Sequence, residues 1–199
     1  MERNAAHIAF AYLRHWLLKE DRYSQQSPFI FSMYQGALDF LKKEKPSSKA
    51  EKIALLATYF CQLTPAIQVL ELGGVNETIT KPLNQVTQGK LRKIQASESL
   101  AQAKEAELRQ IQEQQSFDFI LIHPQSSQEY LQEALSLFLP RMHAQEILVL
   151  EGIHHSQGMY ACWKRVQADT GIQLTLDFFD FGVAFKSYSG PKTNLHLSY

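Results

Sequence analysis

Three short apolar runs, at residues 67–72, 117–122 and 146–150, most tightly limit what this chain can fold into. Each is near-continuously apolar and ends in a polar residue or glycine, as strands buried on both faces do. The segments between them are patterned for helix. Residues 99–115 are rich in Ala, Glu and Gln, and residues 128–139 carry a helical stripe closed by Pro140. Strands alternating with helices imply a parallel sheet covered on both faces. A weaker strand is expected over residues 91–96. Two last strands are expected over 173–178 and 182–187, with only Phe179 to Phe181 between them. That is too short for a crossover helix, so the pair must run antiparallel. The expected class is α/β, a mostly parallel sheet ending in an antiparallel strand. No strand is expected between Ala96 and Phe117.

The first third reads as helical. Ile8, Tyr12 and Trp16 recur at helical spacing over residues 5–19. Ser27 followed by Pro28 is an N-cap with proline at the first helical position. Ser48 with Glu51 is a capping box that opens a helix through Leu55, Leu56, Tyr59 and Phe60. The expected organisation is one domain over residues 1–199. Residues 1–50 form its helical N-terminal extension and 51–199 its α/β core. Tyr12, Trp16, Phe29, Phe31 and Tyr34 are many large aromatics for such an extension. They either cap one end of the sheet or meet a second copy of the chain, and a homodimer through this region is expected.

Charge excludes some functions. Lys and Arg number 20, as do Asp and Glu, so the formal net charge is zero. A general nucleic-acid or membrane binder needs a basic excess, so neither partner is expected. Cys61 and Cys162 have no metal-type spacing and read as buried free thiols. The opening residues lack a signal-peptide pattern, and the apolar stretch 5–18 is interrupted by His7, Arg14 and His15. A cytoplasmic location is expected.

The strand ends carry the candidate chemistry. The first closes as Val69-Leu70-Glu71-Leu72-Gly73-Gly74, a turn in which glycines let a ligand approach the backbone and an acid can hold a positive group. The next ends Ile122-His123-Pro124, and the third ends Leu150-Glu151-Gly152, followed by Ile153-His154-His155-Ser156. His123, Glu151, His154 and His155 could converge, and His and Glu are competent ligands for a transition metal. The blander reading has His154 fixing its loop and His155 exposed, and no metal centre is assigned. His7, His15, His143 and His196 read as scattered structural or surface residues.

The stretch from Leu150 to Ser156, with Met159, Trp163-Lys164 and Leu174 to Phe179, resembles a bacterial family of class I S-adenosylmethionine-dependent O-methyltransferase-like proteins. So do Phe181-Gly182-Val183-Ala184-Phe185 and the early Ser27-Pro28-Phe29-Ile30-Phe31 with Tyr34, where Gln26 stands for the usual histidine. The resemblance implies a Rossmann-like class I methyltransferase fold and S-adenosylmethionine as cofactor. It places Glu71, Gly73, Gly74 and Gln95 at the cofactor and His123, Glu151 and His154 as possible catalytic groups, with a small-molecule acceptor.

The departures fall on ligand-binding positions. Val75, Asn76 and Glu77 follow the two glycines where the family carries a further glycine. Gln95 replaces the acid that grips both ribose hydroxyls, and it lacks the charge for that grip. Between Gln95 and Asp118 there is room for one helix, whereas the family places another helix, a strand and an adenine-contacting loop there. His123 replaces an aspartate, and of the two acids usual after the next strand only Glu151 remains. Two readings follow: a methyltransferase-like protein whose cofactor binding is impaired or lost, which these departures favour, and an active small-molecule O-methyltransferase.

Overall fold

A computed structural model describes residues 5–19, 27–64, 69–73, 76–88, 91–94, 117–124 and 128–199. Gly74, Gln95 and the expected helix at 99–115 lie outside the described residues, as does the interval in which no strand was expected.

Three helices come first: α1 (Ala5–Leu18), α2 (Pro28–Glu44) and α3 (Lys49–Gln62). Ser27 and Ser48 cap α2 and α3 as their sequences require. The capping box differs in one detail. Ser48 accepts the Glu51 N–H, but the Glu51 carboxylate reaches one residue further back, to the main-chain N–H and hydroxyl of Ser47. Then follow β1 (Val69–Leu72), α4 (Glu77–Val86), β2 (Leu91–Ile94), β3 (Phe119–Ile122), α5 (Gln128–Phe138), β4 (Ile147–Glu151), α6 (Gln157–Ala168), β5 (Leu174–Asp177), β6 (Phe181–Phe185) and β7 (Thr193–His196).

The strands form one sheet in the order β2-β1-β3-β4-β6-β5-β7. β2, β1, β3 and β4 pair in parallel, as expected. β6 runs antiparallel between β4 and β5, so the short connector acts as a hairpin. β7 is an addition: it extends the sheet beyond β5 in parallel. Its residues, Thr193-Asn194-Leu195-His196, lack an apolar run because an edge strand buries little, here Leu195. Helix α4 was also not anticipated. Asn76 caps it, but Pro82 interrupts its pattern from within.

Side-chain alternation along the strands divides the core in two. Val69, Phe119, Leu121, Ile147 and Val149 face α2, α3 and α4. Leu70, Leu72, Ile120, Ile122, Leu148 and Leu150 face α5 and α6. Both faces are buried, which is why these strands read as near-continuous apolar runs, with Glu71 of β1 the exception. Among the α6 residues, Trp163 is fully buried and lies flat over Gly182 of β6. A Cβ at Gly182 would come within 2.6 Å of its indole ring.

The aromatics of the N-terminal region divide. Tyr34 belongs to the core and donates its hydroxyl to the Ser198 carbonyl at 2.5 Å. Tyr12, Trp16, Phe29 and Phe31 are exposed, as are Phe10, Leu13 and Leu17 of α1. No helix among the described residues is long and apolar enough to cross a membrane.

Candidate functional site

All parallel strands deliver their last residues to one edge of the sheet, where doubly wound folds bind ligands. Glu71 is the penultimate residue of β1, His123 follows β3, Glu151 ends β4, Asp177 ends β5 and His196 ends β7. Gly73 holds φ +89° just past β1, a conformation suited to glycine.

These residues form two clusters. In the first, His123 bridges two carboxylates: its Nε2 lies 2.7 Å from Glu71 Oε1 and its Nδ1 2.6 Å from Glu151 Oε2. Thr80 of α4 donates to the same Glu71 oxygen at 2.5 Å, and Asn76 donates to Glu151 at 3.3 Å. His123 is 1% exposed and Glu71 2%. Burial works against a charged imidazole here, but the bonds to Glu151 and Glu71 outweigh it and raise the His123 pKa to about 9. At neutral pH the ring is therefore an imidazolium donating from both nitrogens. Glu71 Oε2 is buried with no hydrogen-bond partner.

The second cluster is centred on Asp177. His154 Nε2 lies 2.8 Å from its Oδ2, and the Trp163 indole N–H donates to the same oxygen at 3.2 Å. Its Oδ1 accepts the Phe179 N–H at 2.9 Å, closing a turn in which Phe179 takes φ +68°. His15 of α1 places Nε2 2.9 Å from the Asp177 carbonyl and 3.4 Å from its Oδ1. His196 Nδ1 stands 3.5 Å from Oδ2. Burial opposes the charge, yet the imidazoles of His154 and His196 hold the Asp177 carboxyl well below the usual carboxylate range. The His154 ring stacks on Phe179, centroids 5.1 Å apart and 13° from parallel.

The four residues expected to converge are thus distributed. His123 and Glu151 meet, whereas His154 turns to Asp177 and His155 pairs with Asp180 at 3.2 Å. Asp180 also holds Lys49 at 2.6 Å and the Tyr199 hydroxyl at 2.8 Å. Between the clusters Gly152 turns the chain at φ +69°. A Cβ there would lie 3.1 Å from His155 Nδ1 and 3.3 Å from Pro124. Sequence reasoning missed Asp177, although it closes an apolar strand as Glu151 does. It also set His15 and His196 apart as scattered, since nothing local joins residues so distant in the chain.

No protein-family model matches the chain, and no curated protein matches it. Solved structures do. One is a "putative caffeoyl-CoA O-methyltransferase" from Staphylococcus aureus, 9% identical, covering 92% of this chain and 100% of that one with a TM-score of 0.52. Others are an SAH-bound methyltransferase from Podospora anserina (10% identity, 93% of this chain and 97% of that one, TM-score 0.47) and the SAM-bound O-methyltransferase TomG from Streptomyces achromogenes (14%, 94% and 100%, 0.44). The Staphylococcus aureus structure, together with the strand order, shows that the chain has a Rossmann-like methyltransferase fold.

Proposed function

We propose that this chain keeps the methyltransferase fold as a scaffold and binds S-adenosylmethionine weakly or not at all. The observation that carries the reading is the Glu71–His123–Glu151 bridge. In the family it resembles, the acid near the end of β1 is available to the cofactor's positive amino acid portion. Here Glu71 already receives an imidazolium and the Thr80 hydroxyl, and Glu151 shares the same cation. An incoming ammonium would compete with a buried, hydrogen-bonded charge pair, whose disruption is costly. Gln95, in place of the ribose-binding acid, supports the same reading from the sequence. The bridge also removes His123 as a general base, because a ring charged at neutral pH has no lone pair to accept a proton. Its role is to tie the ends of β1, β3 and β4 together.

Calorimetric titration with S-adenosylmethionine and S-adenosylhomocysteine tests this. The expected result is no saturable binding below about 1 mM, about −4 kcal/mol. A dissociation constant in the micromolar range, about −8 kcal/mol, overturns it and restores the O-methyltransferase reading. The same proposal includes pairing of two chains through α1, on whose surface Phe10, Leu13 and Leu17 are exposed.

A further inference from the structure

The cluster around Asp177 has a feature that hydrogen bonding does not account for. His196 Nδ1 is buried and has no hydrogen-bond partner, yet it is directed at Asp177 Oδ2 from 3.5 Å. That is beyond hydrogen-bond range. His15 Nε2 approaches the other carboxylate oxygen at 3.4 Å. Two ligand atoms each about 2.0–2.1 Å from a tetrahedral zinc ion stand roughly 3.3–3.4 Å apart. Each of these spacings, one to each carboxylate oxygen, is longer than a direct hydrogen bond and close to that between two ligands of one ion. The three donor atoms of His15, Asp177 and His196 all lie within 4.8 Å of one another.

We propose that His15, Asp177 and His196 form a site for one divalent transition-metal ion of the zinc class. Two imidazoles and one carboxylate are the borderline donors such ions select, and hard cations such as Mg²⁺ and Ca²⁺ prefer oxygen alone. The surroundings resemble an outer coordination shell. His154 and the Trp163 indole both hold the carboxylate, and outer-shell partners of this kind orient a ligating group. With the Phe179 N–H on Oδ1, three of a carboxylate's about four lone-pair positions are taken, and one on Oδ1 remains for an ion. Binding needs a proton shift but no redox change. His15 presents a bare Nε2, carries its proton on Nδ1 and gives up its bond to the Asp177 carbonyl. His196 presents a bare Nδ1 and carries its proton on Nε2. Three protein ligands leave a fourth position open for water or a small ligand. His15 also lines a cavity of about 650 Å³ bordered by Tyr12, Trp16 and Tyr199, which provides an entry path. The site, at the ends of β5 and β7, shares no residue with the Glu71–His123–Glu151 bridge, so it does not rest on the proposal about S-adenosylmethionine.

The test uses the full chain without a polyhistidine tag, dialysed against chelator and titrated with ZnCl₂, then with CoCl₂. One Zn²⁺ per chain with micromolar or tighter affinity is expected. Bound Co²⁺ should show the strong visible absorption of a four-coordinate ion, which aqueous Co²⁺ lacks. His196→Ala, at a half-buried position on an edge strand, should weaken zinc binding more than about 100-fold. Loss of an outer-shell partner costs only about 10–100-fold, the range expected for His154→Ala. His15→Gln approaches the site from the helix side and should match His196→Ala, so one misfolded variant does not decide the matter. His143→Ala and His155→Ala should bind as the parent chain does. Absence of stoichiometric zinc binding overturns the site. So does parent-like binding by folded His196→Ala or His15→Gln, or loss of binding in His143→Ala.

Discussion

His123 shows how one substitution changes the character of a strand end. An aspartate there, beside Glu71 and Glu151, would add a third negative charge and leave room for a cationic ligand. A histidine instead supplies the cation itself. The bridge makes stability depend on pH in a definable window. The folded-state pKa, about 9, lies above the ordinary histidine value of 6.5, so the native state holds the proton more tightly. Its contribution is complete below about pH 6.5 and is lost as pH rises through about 9. The difference corresponds to on the order of 3 kcal/mol. Urea melts between pH 6 and 10 should show stability falling across this window, and His123→Gln should flatten the slope. An unchanged slope in that variant would assign the titration to another group. At this scale the sequence was informative about which residues stand at strand ends, because apolar runs and glycines mark where strands stop. It was silent about which of them bond. His123 and Glu71 are 52 residues apart and His15 and Asp177 are 162 apart, and no local pattern records such pairings.

Among the elements, those buried on both sides were the most legible. β1, β3 and β4 announce themselves because each face of the sheet demands apolar residues, and α2 and α3 because their caps are explicit. β7 and α4 escaped notice for complementary reasons. An edge strand needs only one buried residue, and a helix with an internal proline departs from the standard pattern. The contact between α6 and β6 leads to a sharper expectation. Trp163 covers Gly182 so closely that Gly182→Ala would force its Cβ to 2.6 Å from the indole ring. The indole cannot retreat freely, because its N–H is bonded to Asp177. Overpacking of this kind costs about 1–3 kcal/mol. Denaturant titration of Gly182→Ala should find a loss in that range, and a neutral result would mean that β6 and α6 separate without penalty. The cap of α6 gives a second measure. Ser156 accepts the Met159 N–H at 3.1 Å, and Ser156→Ala should lower stability by about 1 kcal/mol in the same assay.

For the whole molecule, the arrangement of polar and apolar surface matters more than the net charge of zero. α1 buries Ala11 and His15 but leaves Phe10 71% and Leu17 67% exposed, with Leu13, Tyr12 and Trp16 also more than half exposed. The proposed pairing of two chains uses this face, since large exposed apolar patches commonly serve as interaction sites. Light scattering at micromolar concentration should report the mass of two chains. Phe10→Ser with Leu17→Ser should return a single-chain mass, whereas Lys43→Ala should not. A single-chain mass for the parent protein would sink the dimer and leave the face to some other use. The parallel sheet was legible at this scale because alternation of elements is a global pattern. The docking of α1 against β5 and β7 was not, since it joins the first element of the chain to the last.

That docking has a consequence in time as well as in space. α1 leaves the ribosome before its dock does, because Asp177 is 162 residues downstream of His15. At a synthesis rate of about 5–20 residues per second, the helix waits roughly 8–30 s before its dock exists. Throughout that interval an apolar helix with exposed aromatics is present on an unfinished chain. Slow translation of the segment that carries β5 and β7 would lengthen the exposure of this face to aggregation.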